Sequence, residues 1–372
     1  MRNGPHPLSV HLGIAASNMA RMHEYASAVN ATQYNHDDLV ETVRGIQMYQ
    51  NHPYARTSMD YEIIYQREEL RILKPLGQKK IANSVPLILV PSLINRSSIL
   101  DINAEMSFLR WLSAKNINAY LLDWGNISAN DADMSMHHVV QEMLLDGVSA
   151  VSKINHSSVN LIGYCMGGVL CAGLCAIRPD LINRMVLLAT PWDFQDDKNI
   201  LAKHVRIWSN YIDPIMSERG YIPSEWIQAL FAGYDPDGAV QKFARFASMN
   251  QGSAEANLFV AVEDWLNEGV DLPANIARHC MQNWFKDNVL LNNSWVLENE
   301  YNVDLKSINK DILIVASDKD RLVPYSCAIR AKETLQNANV DILKKSSGHI
   351  GLIVGKKAVN DVWIPIYQWL EK

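Results

Sequence analysis

The stretch LIGYCMGGVL (residues 161–170) constrains the chain more than any other. A short apolar run suited to a buried strand reaches Gly163, Cys165 sits midway between Gly163 and Gly167, and a second apolar run with helical spacing follows. Glycines two residues either side of a reactive side chain suit a sharp strand-to-helix turn, where neighbouring backbone comes too close to leave room for a Cβ. Such a turn projects its central side chain over the strand ends and aims backbone N–H groups, that of Met166 among them, at a bound carbonyl oxygen. The dipole of the following helix favours a thiolate at its start. Cys165 is therefore the candidate nucleophile, whereas Cys171 and Cys175, four apart on the helix, read as inert core thiols.

The surroundings repeat the strand-then-helix rhythm. VPLILVP (85–91), INAYLLDW (117–124), SVNLIGY (158–164), RMVLLAT (184–190) and DILIVAS (311–317) are continuous apolar runs of the length expected for strands covered on both faces, and VDILKKSSG (340–348) reads as one more, nearer an edge. Amphipathic segments at 135–154, 167–178 and 326–336 read as helices between them. Strands alternating with helices imply a mainly parallel sheet with right-handed crossovers. Residues 1–70 read as an N-terminal extension, and 71–194 with 306–372 as the α/β core. Between 195 and 305 the strand rhythm stops and five of the ten tryptophans occur (Trp208, Trp226, Trp265, Trp284 and Trp295), so this segment reads as a helical cap inserted into the core.

A nucleophile elbow on such a sheet needs an acid and then a histidine later in the chain, and both stand at the right stations. Asp318 and Asp320 follow the strand 311–317, and His349 follows the last strand. Asp320, at the turn before RLVP, is the preferred acid and Asp318 the fallback. The order Cys165, Asp320, His349 is the order of the α/β-hydrolase fold. The loop after the first clear strand is where this fold supplies a second oxyanion donor, which nominates the backbone of Ser92 and Leu93. His137, His138, His204 and His279 read as solvated or structural, and no metal-ligand spacing is present.

Composition excludes other classes. A net charge of −6 leaves no electrostatic footprint for nucleic acid. No apolar stretch reaches the roughly 18 to 20 residues of a spanning helix, and the first 20 residues make a poor signal peptide. Five cysteines, an odd number without a CxxC pair, fit a reducing cytoplasm better than a disulfide framework.

The segments PLILVPSLINRSSILDI, YLLDWGN, LIGYCMGG, NWFKDNVLLNN, VDLKSINKDILIVASDKDRLVP and SGHIGLIV resemble, in order and approximate spacing, the motifs of polyhydroxyalkanoate synthases over roughly residues 60 to 370. The length resembles the short catalytic subunit of the two-component (class III/IV) type. The resemblance implies polymerisation of (R)-3-hydroxyacyl-CoA with release of coenzyme A, Cys165 carrying the acyl chain, His349 activating it and Asp320 assisting. It implies no metal or redox cofactor. As partners it implies the growing polyester or a granule surface, with an accessory subunit or a second copy. Arg321 departs from the family's usual histidine after the aspartate.

A thioester substrate also explains the thiol. Attack by Cys165 exchanges one thioester for another of similar energy, so the acyl group stays activated until a 3-hydroxyl takes it to an oxoester, provided water is kept out. The expected role of the cap as a lid follows from that need. A thioesterase or intracellular depolymerase on the same scaffold is the alternative enzyme, and a silent granule-binding scaffold the alternative of another class.

Overall fold

In the computed structural model, residues 2–17, 37–57, 59–79, 81, 84–127, 133–298 and 301–372 are described. By internal contacts the chain divides into one unit made of Met1–Thr57 with Pro223–Gly269 and a larger unit made of Ser58–Ile222 with Val270–Lys372.

The larger unit is built on an eight-stranded sheet: β1 (Tyr61–Arg67), β2 (Leu70–Pro75), β3 (Leu87–Val90), β4 (Ala119–Asp123), β5 (Val159–Tyr164), β6 (Ile182–Leu188), β7 (Asp311–Ser317) and β8 (Asn339–Lys345). Their spatial order is β1-β2-β4-β3-β5-β6-β7-β8. Only β1/β2 and β2/β4 pair antiparallel; every other neighbouring pair is parallel. Burial follows position. Every residue of β3, β4 and β5 is buried, as strands covered on both faces require. β1 and β8, at the two edges, are mixtures of half-buried and exposed residues, and Lys344 and Lys345 end β8. The helix Met166–Ile177 is apolar around its whole circumference and is buried from Met166 to Cys175, so it packs inside the unit rather than lying on it.

The smaller unit has its own core. The helices Asp37–Asn51, Pro236–Ala247 and Ala254–Asn267 enclose a cluster of Ile46, Tyr49, Phe243, Phe246, Ala256 and Val260. The rings of Phe246 and Phe259 stack with centroids 4.3 Å apart.

All six strands read from the sequence are present. Two features of the division differ from the sequence reading. β1 and β2 join the sheet, so the sheet-forming chain starts before residue 71; their mixed polarity hides them from a search for continuous apolar runs. The segment 195–305 is not one body either. Its middle, Pro223–Gly269, groups with the chain's beginning, because the aromatic face of Pro236–Ala247 is filled by Ile46 and Tyr49 of Asp37–Asn51. Residues 18–36 of the expected extension lie outside the described residues.

Candidate active site

β5 ends at Tyr164, and Cys165 follows with φ 54° and ψ −124°, a region that residues bearing a Cβ rarely occupy. Its surroundings hold it there. Cys165 N–H donates to Leu188 O at the end of β6 (2.9 Å), and Cys165 O accepts from Gly168 N–H (3.0 Å). The flanking glycines are needed for contact: a Cβ on Gly163 would lie 2.3 Å from the Cα of Gly168, and one on Gly167 would lie 2.2 Å from the carbonyl oxygen of Val90. The end of β3 is thus pressed against the first turn of the helix after Cys165.

Burial separates this thiol from the rest. Cys171, Cys175, Cys280 and Cys327 are buried, and burial raises all four thiols, Cys175 and Cys327 to about 12. Cys165 is partly exposed.

Asp320 and His349 arrive from β7 and β8. Asp320 is 5% exposed, and its carboxylate divides its work. Oδ1 accepts from the backbone N–H groups of Leu322 (2.9 Å) and Val323 (2.8 Å), while Oδ2 accepts from Nδ1 of His349 at 2.7 Å. With Nδ1 committed, Nε2 is the ring atom left for Cys165. Burial by itself would depress the imidazole; the Asp320 carboxylate and negative charge on the Cys165 sulfur, with a hydrogen bond from each, outweigh it and raise His349 to about 10. The structure therefore brings Cys165, His349 and Asp320 together. The fallback acid stands elsewhere: Asp318 is turned to solvent, with Lys344 Nζ 3.4 Å away, and hydrogen bonding from Ser346 is the main influence lowering its carboxyl.

Met166 opens the helix, where a first-turn N–H has no intrahelical acceptor. Ser92 and Leu93 follow β3 after Pro91. Their N–H groups donate to no protein acceptor among the described residues, and Ser92 Oγ accepts from Ile94 N–H (3.3 Å). Pro91 O accepts from the indole Nε1–H of Trp124 at 3.0 Å, which turns the Pro91–Ser92 peptide so that its N–H points the opposite way. Met166 and the Ser92–Leu93 pair thus stand just beyond the ends of two neighbouring strands, β5 and β3.

Sequence reasoning missed three supporting side chains: Trp124, Tyr164 and Ser317. Tyr164 and Ser317 are strand-end residues one and three positions from Cys165 and Asp320, and that adjacency is the signal that marks them; Trp124, just past β4, has no such neighbour. Among the other histidines, His279 is 6% exposed; its Nε2 accepts from Trp295 Nε1–H (2.8 Å) and its Nδ1 faces Glu298 Oε1 (3.2 Å). No group of three or more His, Cys, Asp or Glu side chains placed to hold a metal occurs among the described residues.

The sheet order, the bend at Cys165 and the carboxylate–imidazole pair on later strands define an α/β-hydrolase-fold protein with sulfur in the nucleophile's place. A family model described as the alpha/beta hydrolase fold matches residues 122–215. The poly(3-hydroxyalkanoate) polymerase subunit PhaC of Haloferax mediterranei is 27% identical over 314 residues, which cover 83% of this chain and 63% of that one. Its counterpart of the same name from Allochromatium vinosum is 27% identical over 316 residues, 84% of this chain and 88% of the other. The chain thus spans less than two thirds of the haloarchaeal relative and most of the bacterial one. Among solved structures, the carboxylesterase CesB of Bacillus subtilis superposes with a TM-score of 0.45 at 14% identity, covering 89% of this chain and 98% of that one. Over more than four-fifths of its length the chain is similar to poly(3-hydroxyalkanoate) polymerase subunits.

Proposed function

We propose that the protein is an acyltransferase that polymerises (R)-3-hydroxyacyl-CoA into polyhydroxyalkanoate through a thioester on Cys165. The observation that carries this reading is a cysteine, not a serine, at the elbow, beside an imidazole whose Nδ1 is held 2.7 Å from Asp320. The sulfur attacks the thioester carbonyl with its proton held on Nε2 of His349. Negative charge on the carbonyl oxygen is met by the N–H groups of Met166 and of Ser92 or Leu93. The C–S bond to coenzyme A then breaks, and His349 returns the proton to the departing thiolate.

In the second half the 3-hydroxyl of another acyl unit, or of the growing chain, gives its proton to His349 and attacks the acyl-Cys165 carbonyl. An ester bond forms, the bond to sulfur breaks, and the thiol is regenerated. Coenzyme A leaves as product, and the scheme is carried by side chains and backbone donors alone. Because the product is insoluble, the enzyme is expected to work at the surface of cytoplasmic polymer granules, with an accessory subunit or a second copy as partner.

The test is brief exposure to 3-hydroxybutyryl-CoA, followed by mass spectrometry of the peptide containing Cys165, with coenzyme A release and turbidity measured in parallel. An acyl adduct with growing turbidity is expected. Coenzyme A accompanied only by free acid makes the protein a thioesterase. No adduct, and no loss of activity in Cys165→Ala, removes the covalent route.

A further inference from the structure

We propose that Ser317 is a positioning residue whose hydroxyl sets the separation of Asp320 and His349 by joining the turn that carries the acid to the loop that carries the base. The inference rests on the catalytic reading above. Ser317 is the last residue of β7 and is fully buried. Its Oγ donates to the carbonyl of Ser347 at 2.5 Å and accepts from the N–H of the same residue at 2.8 Å, and it also accepts from Lys319 N–H at 3.3 Å. A hydroxyl has one proton to give and two lone pairs to offer, so its capacity is used in full. Asp320 N–H in turn donates to Ser317 O at 3.3 Å.

The position of these bonds gives them their consequence. β7 and β8 stay in register only to Ser317 opposite Lys345, and the last backbone bond across the gap runs from Asp318 N–H to Lys345 O (3.1 Å). Beyond that point the two chains separate, one toward Asp320 and the other toward His349. The Ser317 hydroxyl extends the ladder by one rung, using backbone groups of Ser347 that no rotamer change can move. Asp320 sits three residues after one end of the rung, and His349 two residues after the other. The groups that face the imidazole are the Asp320 carboxylate, the Cys165 sulfur and the Tyr164 ring. A short bond between charged partners weakens quickly when either is displaced, so loosening the rung lengthens the Asp320–His349 contact and weakens the hold of the ring on its proton.

The experiment compares the rates at which iodoacetate and iodoacetamide alkylate Cys165, followed on its own peptide by mass spectrometry as pH is raised. An imidazolium beside the sulfur favours the anionic reagent, so the ratio falls where His349 loses its proton. Ser317→Ala is expected to move that fall to lower pH by about one unit. Ser347→Ala, which leaves the backbone groups intact, is expected to leave it in place. Ser317→Cys keeps the shape with weaker hydrogen bonds and is expected to give a smaller shift in the same direction; it serves if the alanine variant does not fold. A folded Ser317 variant with an unmoved midpoint overturns the proposal, since a purely structural serine would lower stability without altering the ratio. His349→Gln separates the two readings: a ratio that still falls in that variant defeats the catalytic pairing itself.

Discussion

The phenol ring of Tyr164 lies against the imidazole of His349, with centroids 5.2 Å apart and planes inclined by 32°. The strand that presents the sulfur therefore also supports the base. The Tyr164 hydroxyl reaches the His349 carbonyl only at 3.5 Å, a long bond of little strength. Tyr164→Phe is accordingly expected to stay within about twofold of the parent rate of coenzyme A release. Tyr164→Ala removes a side chain that is 3% exposed. It is expected to lower stability by about 3 kcal/mol and the release rate by about tenfold in the protein that remains folded.

Asp320→Asn is expected to reduce turnover by about 10³ to 10⁴, because the amide neither fixes the tautomer nor balances an imidazolium. The substitution also removes the strongest influence holding the His349 pKa up against burial. A group raised from 6.5 to about 10 stabilises the folded state fully below pH 6.5, and that stabilisation is lost as pH rises toward 10. Urea unfolding at pH 6 and pH 9.5 should thus show a smaller alkaline loss in the variant than in the parent.

Gly167→Ala would set a Cβ 2.2 Å from Val90 O and 2.7 Å from Pro91 O, both backbone atoms. Destabilisation of about 3 kcal/mol or outright failure to fold is expected. Gly348, next to His349, has nothing within 4 Å of the corresponding position. Gly348→Ala should fall within about 0.5 kcal/mol of the parent in the same denaturation experiment.

Trp124→Phe keeps a large ring in a site that is 4% exposed but deletes the donor to Pro91 O. Freed from the indole, the Pro91–Ser92 peptide loses its orientation. The expected result is a fall in kcat of about tenfold with KM little changed, because an oxyanion donor acts on the transition state more than on bound substrate. A rise in KM alone would assign the indole to substrate binding.

The smaller unit carries an acid-sensitive group. His11 is 8% exposed, lies edge-on to Phe243 at 6.1 Å, and leaves Nδ1 without a hydrogen-bond partner. Burial, helped by the charge of Lys242, lowers its pKa from 6.5 to about 4. The unfolded chain takes up this proton before the folded one, so the stabilisation is complete above pH 6.5 and is lost as pH falls to 4, amounting to roughly 3 kcal/mol. His11→Phe should flatten that limb when urea midpoints at pH 7.5 and pH 4.5 are compared.

Much of the site was legible in the residues because it obeys local rules. The glycines around Cys165 report a clash that any elbow must avoid, and Asp320 and His349 sit at strand ends fixed by the fold's order. The five strands from β3 to β7 announce themselves as apolar runs. What stayed hidden depends on partners distant in the chain. β1 carries the mixed polarity of an edge, β2 sets Arg71 and Lys74 among its buried apolar residues, and the partner of Phe243 lies some two hundred residues earlier at Ile46 and Tyr49. Nor does any pattern in 311–317 disclose that the hydroxyl of Ser317 closes on residue 347.

The contorted backbone at Cys165 restricts torsion angles and the size of neighbours, and it is indifferent to the element at the tip of the side chain. Exchanging sulfur for oxygen there asks almost nothing of the architecture. A lineage that severs esters and one that strings them together can therefore share a scaffold down to its tightest bend, divided by a single atom and by whichever nucleophile arrives next.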